Sequence, residues 1–148
     1  MKVYLASGWF SEGQMEQLVR LETLLESYEF LEVISPRKVF NCPPGADQET
    51  QKKTFEGNVT HIKSSDFVLV NTSYRDIGTI WEAGASYAYG TPIVYFCEGL
   101  PEGAQFNLML AKSGIKVTTS ISELKDYLNR VEANGGVLLN EPYTALIE

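Results

Sequence analysis

The chain has 148 residues, enough for one domain around one hydrophobic core. Of these, 44% are hydrophobic and 21% charged, the composition of a folded protein rather than a disordered one. Twelve lysines and arginines against 19 aspartates and glutamates leave a net charge of −7, which argues against a DNA or RNA partner, since that grip needs clustered cations.

In chain order, Val3 to Ala6 form a short apolar run that predicts an opening strand. Met15, Leu18, Leu21, Leu25 and Tyr28 then recur at three- and four-residue spacing, predicting an amphipathic helix over 14–28. A second strand is expected over 30–34, closed by Ser35-Pro36. The segment 38–49, with Asn41, Pro43, Pro44, Gly45 and Asp47, reads as a loop. A helix over about 50–63 follows, with Phe55, Val59 and Ile62 on its buried stripe. Phe67-Val-Leu-Val70 is a continuous apolar run, the pattern of a central parallel strand covered on both faces. A helix over about 79–89 stops at Gly90, with Pro92 beyond it. Strands are expected over 92–96 and 115–118, and a last helix over about 122–131.

This alternation predicts a single α/β domain spanning 1–148: a three-layer α/β/α sandwich, flavodoxin-like or Rossmann-like. Its five-stranded sheet would be mostly parallel, in the order 2-1-3-4-5. The ligand site of such a sheet lies beyond the C-terminal ends of the strands, at the order switch. That places candidate residues after strand 1 (Ser7 to Ser11), after strand 3 (Thr72 to Thr79) and after strand 4.

No cofactor or metal is expected. The glycine-rich dinucleotide fingerprint is missing after strand 1, where Gly8 is followed by Trp9 and Phe10, and no Walker A run occurs. The single histidine, His61, and the isolated Cys42 and Cys97 lack partners at metal-ligand spacing. Two lone thiols and a short N-terminal apolar run, with Glu12 close behind, give the expectation of a cytoplasmic protein without a membrane span.

The informative segment is Tyr74 to Gly90. In its plain reading, Thr79 and Glu82 form a capping box at a helix start and Asp76 is a solvated loop acid. In its sharper reading, Asp76 and Glu82 share the switch-point crevice. Glu82 in the first helical turn would be held ionised by free amides and the helix dipole. A carboxylate there suits attack at a glycosidic carbon. Tyr4 could fix its rotamer by a hydrogen bond, and Trp9 and Phe10 could stack on a planar base.

At this point the sequence resembles the nucleoside 2-deoxyribosyltransferase family. Four blocks carry the resemblance: Val3-Tyr-Leu-Ala-Ser-Gly-Trp-Phe10, Asn58-Val-Thr-His-Ile-Lys-Ser-Ser-Asp66, Asp76-Ile-Gly-Thr-Ile-Trp-Glu-Ala-Gly-Ala85 and Phe106-Asn-Leu-Met-Leu110. The resemblance implies that Glu82 attacks C1′ of a 2′-deoxyribonucleoside and that Asp76 contacts the sugar and arranges the reacting groups. It implies that Tyr4 holds the nucleophile, and that Asn107 and Met109 line the sugar pocket, with the asparagine near the 5′-hydroxyl. Where sister families bind a 5′-phosphate, Ser7, Gly8, Trp9, Phe10 and Ser11 hold no cation, which favours an uncharged 5′-hydroxyl. Asn58 stands where many members carry an aspartate near the departing base, which leaves base preference and the leaving-group proton donor open.

The partners implied are a 2′-deoxyribonucleoside and a free nucleobase, and a second copy of the chain, since such sites are shared between subunits of a homo-oligomer. The tail from Asn140 to Glu148 would either reach a neighbour's site or fray. Two other functions compete. One is N-glycosidic hydrolysis of deoxynucleosides or their 5′-monophosphates, favoured by Arg75 beside Asp76. The other is a non-catalytic nucleotide-sensing domain, which would not need Tyr4, Asp76 and Glu82 together.

Overall fold

Five of the apolar runs are strands in the computed structural model, which describes residues 1–148: β1 (Lys2–Ala6), β2 (Glu32–Ile34), β3 (Phe67–Asn71), β4 (Ile93–Phe96) and β5 (Lys116–Thr118). They pair in the order β2-β1-β3-β4-β5, and every pair is parallel. The helices are α1 (Glu12–Glu26), α2 (Pro36–Val39), α3 (Gln48–Ser64), α4 (Ile77–Tyr89), α5 (Leu108–Ser113) and α6 (Ile121–Ala133). No helix is long and apolar enough to cross a membrane.

Successive residues of a strand point to opposite faces, and that alternation builds two cores. Val3, Leu5, Phe67, Leu69, Val94 and Phe96 face α1 and α6, which cover them with Leu18, Leu21, Leu25, Leu124 and Leu128. Tyr4, Ala6, Val68, Val70, Ile93 and Tyr95 face the other way, beneath Ile62 of α3, Ala83 of α4 and Ala111 of α5. The expected three-layer sandwich is thus present. The central strands read as unbroken apolar runs because both of their faces are covered.

The helix limits move where caps decide them. Ser11 caps α1 and exchanges hydrogen bonds with Gln14, so the helix starts at Glu12 and ends at Glu26. Tyr28 is buried beyond that end, its hydroxyl donating to Asn129 Oδ1 at 2.7 Å. Ser35-Pro36 ends β2 and also opens α2, because proline suits the first helical position. The expected loop therefore begins later, and Asp47 closes it by capping α3. Phe55 departs from expectation: it is 54% exposed, while Ile62 on the same stripe is fully buried. Its ring packs on Trp81 instead, with centroids 5.3 Å apart. The short helix α5, capped by Asn107, carries too few turns to show periodicity and was not expected.

One buried charge ties α1 to the β2–α2 corner. The Glu22 side chain is 2% exposed and accepts from Ser35 Oγ at 2.5 Å and from Arg37 Nε at 2.9 Å, with Lys38 Nζ at 3.3 Å. Burial alone would raise its carboxyl, but the hydrogen bonds from Arg37 and Ser35 outweigh that and hold it below its usual range. Arg37→Leu should destabilise the fold by about 2–3 kcal/mol, less than the ~3–5 kcal/mol of a stranded buried charge because Lys38 and Ser35 remain. Since the folded carboxyl sits low, the stabilisation is complete above the ordinary glutamate value of 4.5 and fades as pH falls below it. Urea unfolding of both proteins at pH 7 and in acid measures this: the gap between them should narrow in acid.

Candidate active site

The site begins with Tyr4, fully buried on the α3–α4 side of the sheet. Its hydroxyl donates to Glu82 Oε1 at 2.5 Å. Burial and the neighbouring carboxylate push the phenol well above its ordinary range, so it remains a donor. Glu82 lies on α4, six residues after Asp76 at the start of that helix.

The plain capping reading is overturned, and so is the sharper reading's expectation of an ionised Glu82 in the first helical turn. Asp76, not Thr79, caps α4: its Oδ2 accepts from Thr79 N at 2.8 Å and Thr79 Oγ1 at 2.9 Å. Glu82 therefore lies in the second turn, away from the free amides expected to keep it ionised. Burial instead pushes its carboxyl up to about 7; the Tyr4 hydrogen bond pulls it down, and the Asp76 charge adds to the rise. At neutral pH the group sits near the balance between acid and carboxylate. That is the state of a site group rather than of a helix cap.

Glycine lets the β1–α1 turn approach this pair. Gly8 is buried, and a Cβ placed on it would lie 3.0 Å from Asp76 Cγ and 2.7 Å from Gln14 Nε2. Beneath it, Asn71 Nδ2 donates to Ser7 Oγ at 3.1 Å and to Gln17 Oε1 at 2.7 Å, tying the end of β1 to β3 and α1. Trp9 and Phe10 stack on each other with centroids 5.1 Å apart. Arg75, just before the cap, holds a left-handed φ of 51°, a costly conformation for a non-glycine residue that recurs where a backbone is forced to aim a functional side chain.

These elements enclose a cavity of about 400 Å³ that collects Ser7, Trp9, Phe10, Asn58, Asp76, Thr79 and Glu82. Asn58 reaches it from α3, and its Oδ1 is buried without a hydrogen-bond donor. Phe55 and Trp81 also line it. Sequence reading had assigned Phe55 to the core and gave Trp81 no role in the site. Ser7 was among the candidates after strand 1, whereas Asn71 carried no signal, because polar residues at strand ends are commonplace.

Two expected site residues lie elsewhere. Asn107 and Met109 line a separate cavity of about 350 Å³ with Thr72, Arg75, Cys97 and Glu148. Asn107 caps α5, its Oδ1 accepting from Met109 N at 3.0 Å and Leu110 N at 3.2 Å, while Met109 is 74% exposed. Arg75 thus faces this second cavity and not the one holding Glu82. The C-terminal tail is ordered against its own chain. Phe106 N donates to Leu146 O at 3.0 Å, Glu148 N to Phe106 O at 3.1 Å, and Tyr143 packs on Phe106.

Residues 3–117 match the family model described as nucleoside 2-deoxyribosyltransferase. The chain belongs to that family. A solved 2-deoxyribosyltransferase from the psychrotolerant bacterium Bacillus psychrosaccharolyticus is 30% identical, with a TM-score of 0.77 over 97% of this chain and 100% of that one. A conserved protein from Enterococcus faecalis V583 (18% identity, TM-score 0.69) and a CMP N-glycosidase from Clostridium botulinum (18% identity, TM-score 0.57) each cover 88% of this chain and 98% of their own. At that identity these two show the shared fold alone. No curated protein matches the sequence significantly.

In this deoxyribosyltransferase-family chain the close approach at Gly8 has a measurable consequence. Gly8→Ala should displace the Gln14 amide and press on Asp76, lowering kcat/KM by about tenfold or more, because small misplacements at a reacting centre are expensive. The loss of stability should stay near ~1 kcal/mol, the lower end for an added methyl. Steady-state kinetics beside urea unfolding separates the two effects, and unchanged kinetics would show that the approach has no bearing on the site.

Proposed function

We propose that this protein transfers the 2-deoxyribosyl group between nucleobases of 2′-deoxyribonucleosides, a nucleoside-salvage reaction, through a covalent intermediate on Glu82. The observation that carries this reading is the Glu82 carboxyl itself. One of its oxygens is held by Tyr4, and it shares an aromatic-lined cavity with a second acid, Asp76. In the first half-reaction a Glu82 oxygen bonds to C1′ as the C1′–N bond breaks, and that electron pair leaves with the base. The departing nitrogen takes its proton from solvent through a water that the Asp76 carboxylate orients. In the second half, the nitrogen of an incoming base attacks C1′, the ester bond returns its pair to Glu82, and the base releases its proton to solvent through the same water. Two displacements on one face restore the β configuration.

Burial favours this chemistry in a way the helix dipole would not. A carboxylate that a poorly solvated site destabilises is a better nucleophile, and its conversion to a neutral ester relieves the desolvation cost. Tyr4 remains a phenol throughout and holds the rotamer. Asn58 is a neutral amide, so it hydrogen-bonds the base but supplies no proton. Gly8 brings Trp9 and Phe10 against the substrate.

Asn107 and Met109 join this scheme from a neighbouring subunit. They are separated from Glu82 within one chain, and Ile77, Tyr87 and Met109 leave an exposed apolar surface on α4 and α5 for a second copy. The resulting homo-oligomer shares its active sites. Mixing Glu82→Ala with Asn107→Asp, a change that keeps the α5 cap acceptor, should restore part of the transfer activity that each variant lacks alone. Absence of restoration after subunit exchange, or a fully active Asn107→Asp, would refute sharing.

For the chemistry, incubation with thymidine and free adenine should yield deoxyadenosine, and thymidine without an acceptor should load the enzyme. Mass spectrometry of the quenched protein is expected to show one deoxyribosyl unit on the peptide containing Glu82. Glu82→Ala should lower turnover by about 10³-fold or more. Only the carboxylate attacks, so kcat/KM should rise with pH through about 7. Tyr4→Phe removes a hydrogen bond that lowers this value and should move the limb to higher pH. Near-normal transfer by Glu82→Ala would sink the mechanism.

A further inference from the structure

Phe55 and Trp81 are aromatic side chains without a core to fill. Phe55 is 54% exposed and Trp81 49%, although each packs on the other at 5.3 Å between centroids. Burying such rings is normally worth several times the energy of one contact, so leaving both half open needs a reason. They come from α3 and α4, and both line the Glu82 cavity, to which the β1–α1 turn contributes the stacked Trp9–Phe10 pair. Two aromatic pairs from separate elements thus border one cavity. On α3, Asn58 follows Phe55 by three residues, so ring and amide share one helix face. The amide Oδ1 has no donor in the protein, and an unmet acceptor of this kind is a standing penalty that a ligand N–H relieves.

The chemistry of the lining narrows the ligand. The side chains that border the cavity include two acids, Asp76 and Glu82, and no lysine, arginine or histidine. An anionic ring substituent would meet two carboxyl groups and no cation, whereas a neutral heteroaromatic ring offers flat faces to the aromatics and a donor–acceptor edge to the amide. We propose that Phe55 and Trp81 form a stacking wall that, with Asn58 reading the base edge, sets affinity for the neutral nucleobase in both half-reactions. This rests on the reading of the Glu82 cavity as the transfer site. It assigns specificity to two residues that touch the base and not the sugar.

The chain has two tryptophans, Trp9 and Trp81, and both line this cavity, so their fluorescence reports its occupancy. The probes are adenine and, separately, thymine, titrated into Glu82→Gln protein without any nucleoside, so that no transfer occurs. Saturable quenching is expected. Adding Phe55→Leu to that protein should weaken base binding by about tenfold, within the range found when a stacking ring is removed. In otherwise wild-type enzyme, Phe55→Leu and Trp81→Leu should each raise KM for the acceptor base by a similar factor with a smaller change in kcat, and Trp81→Phe should restore most of the loss. Unchanged base affinity and KM in both leucine variants would overturn the proposal, as would a change in sedimentation without a change in base affinity, which would make the pair a subunit contact. If bases bind in a Phe55-dependent way but wild-type protein transfers nothing, the transfer reading fails and the slot stands. If transfer is normal and KM does not move, the slot alone fails.

Discussion

Because β1 lies between β2 and β3, and β3 between β1 and β4, both strands are hydrogen-bonded on two edges and covered on two faces. Their pairing, with Tyr4 opposite Val68 and Ala6 opposite Val70, places the candidate chemistry. From the end of β1 the chain turns to α1 on one face of the sheet, and from the end of β3 it turns to α4 on the other. The two connections diverge and open a crevice, as the order switch of a parallel sheet requires. Period-two alternation along β1 then decides which side chain meets α4. Val3 and Leu5 point to α1, and Tyr4 points to Glu82. A one-residue slip of β1 would bring an aliphatic side chain beneath that carboxyl.

Polar groups at the strand ends hold the crevice in shape. Asn71 spans Ser7 and Gln17, and its Oδ1 accepts from Ser73 N at 3.2 Å. Gln17 passes the connection to Glu98 at 2.7 Å, which Arg20 grips with both guanidinium nitrogens at 2.8 and 2.6 Å. Every buried member of this chain has a partner, so it stiffens the ends of β1, β3 and β4 without a stranded charge. The Tyr4–Glu82 pair differs, for burial raises Glu82 and leaves it balanced between acid and carboxylate at pH 7. Burial of that carboxyl costs stability that the fully partnered polar chain does not give up.

The sequence was informative where local rules act. Apolar runs without alternation marked buried parallel strands, and three- and four-residue spacing marked the longer helices. Gly90, with φ 74°, ended α4 where a glycine stop was expected. The order of elements already placed Asp76 in the loop after strand 3 and Glu82 early in the next helix, both beside the switch-point crevice. Short elements were less legible: α2 and α5 have four and six residues, too few for a period to emerge. Choosing between Asp76 and Thr79 as the cap was beyond a pattern that either residue satisfies.

What the chain determined by itself is the class of fold, the order of its elements and the family to which it belongs, since these follow from periodicity, turn residues and spaced motifs. Tertiary structure decided the rest, through distance and burial. It exposed Phe55, which periodicity had placed in the core, because α4 offers Trp81 and an open cavity there rather than a closed interior. It set Asn107 and Met109 apart from Glu82, because α5 follows β4 and not β3. It also reversed the expected charge preference of Glu82. A carboxyl's protonation depends on the water it loses and the donors it gains, and neither quantity is local to the sequence.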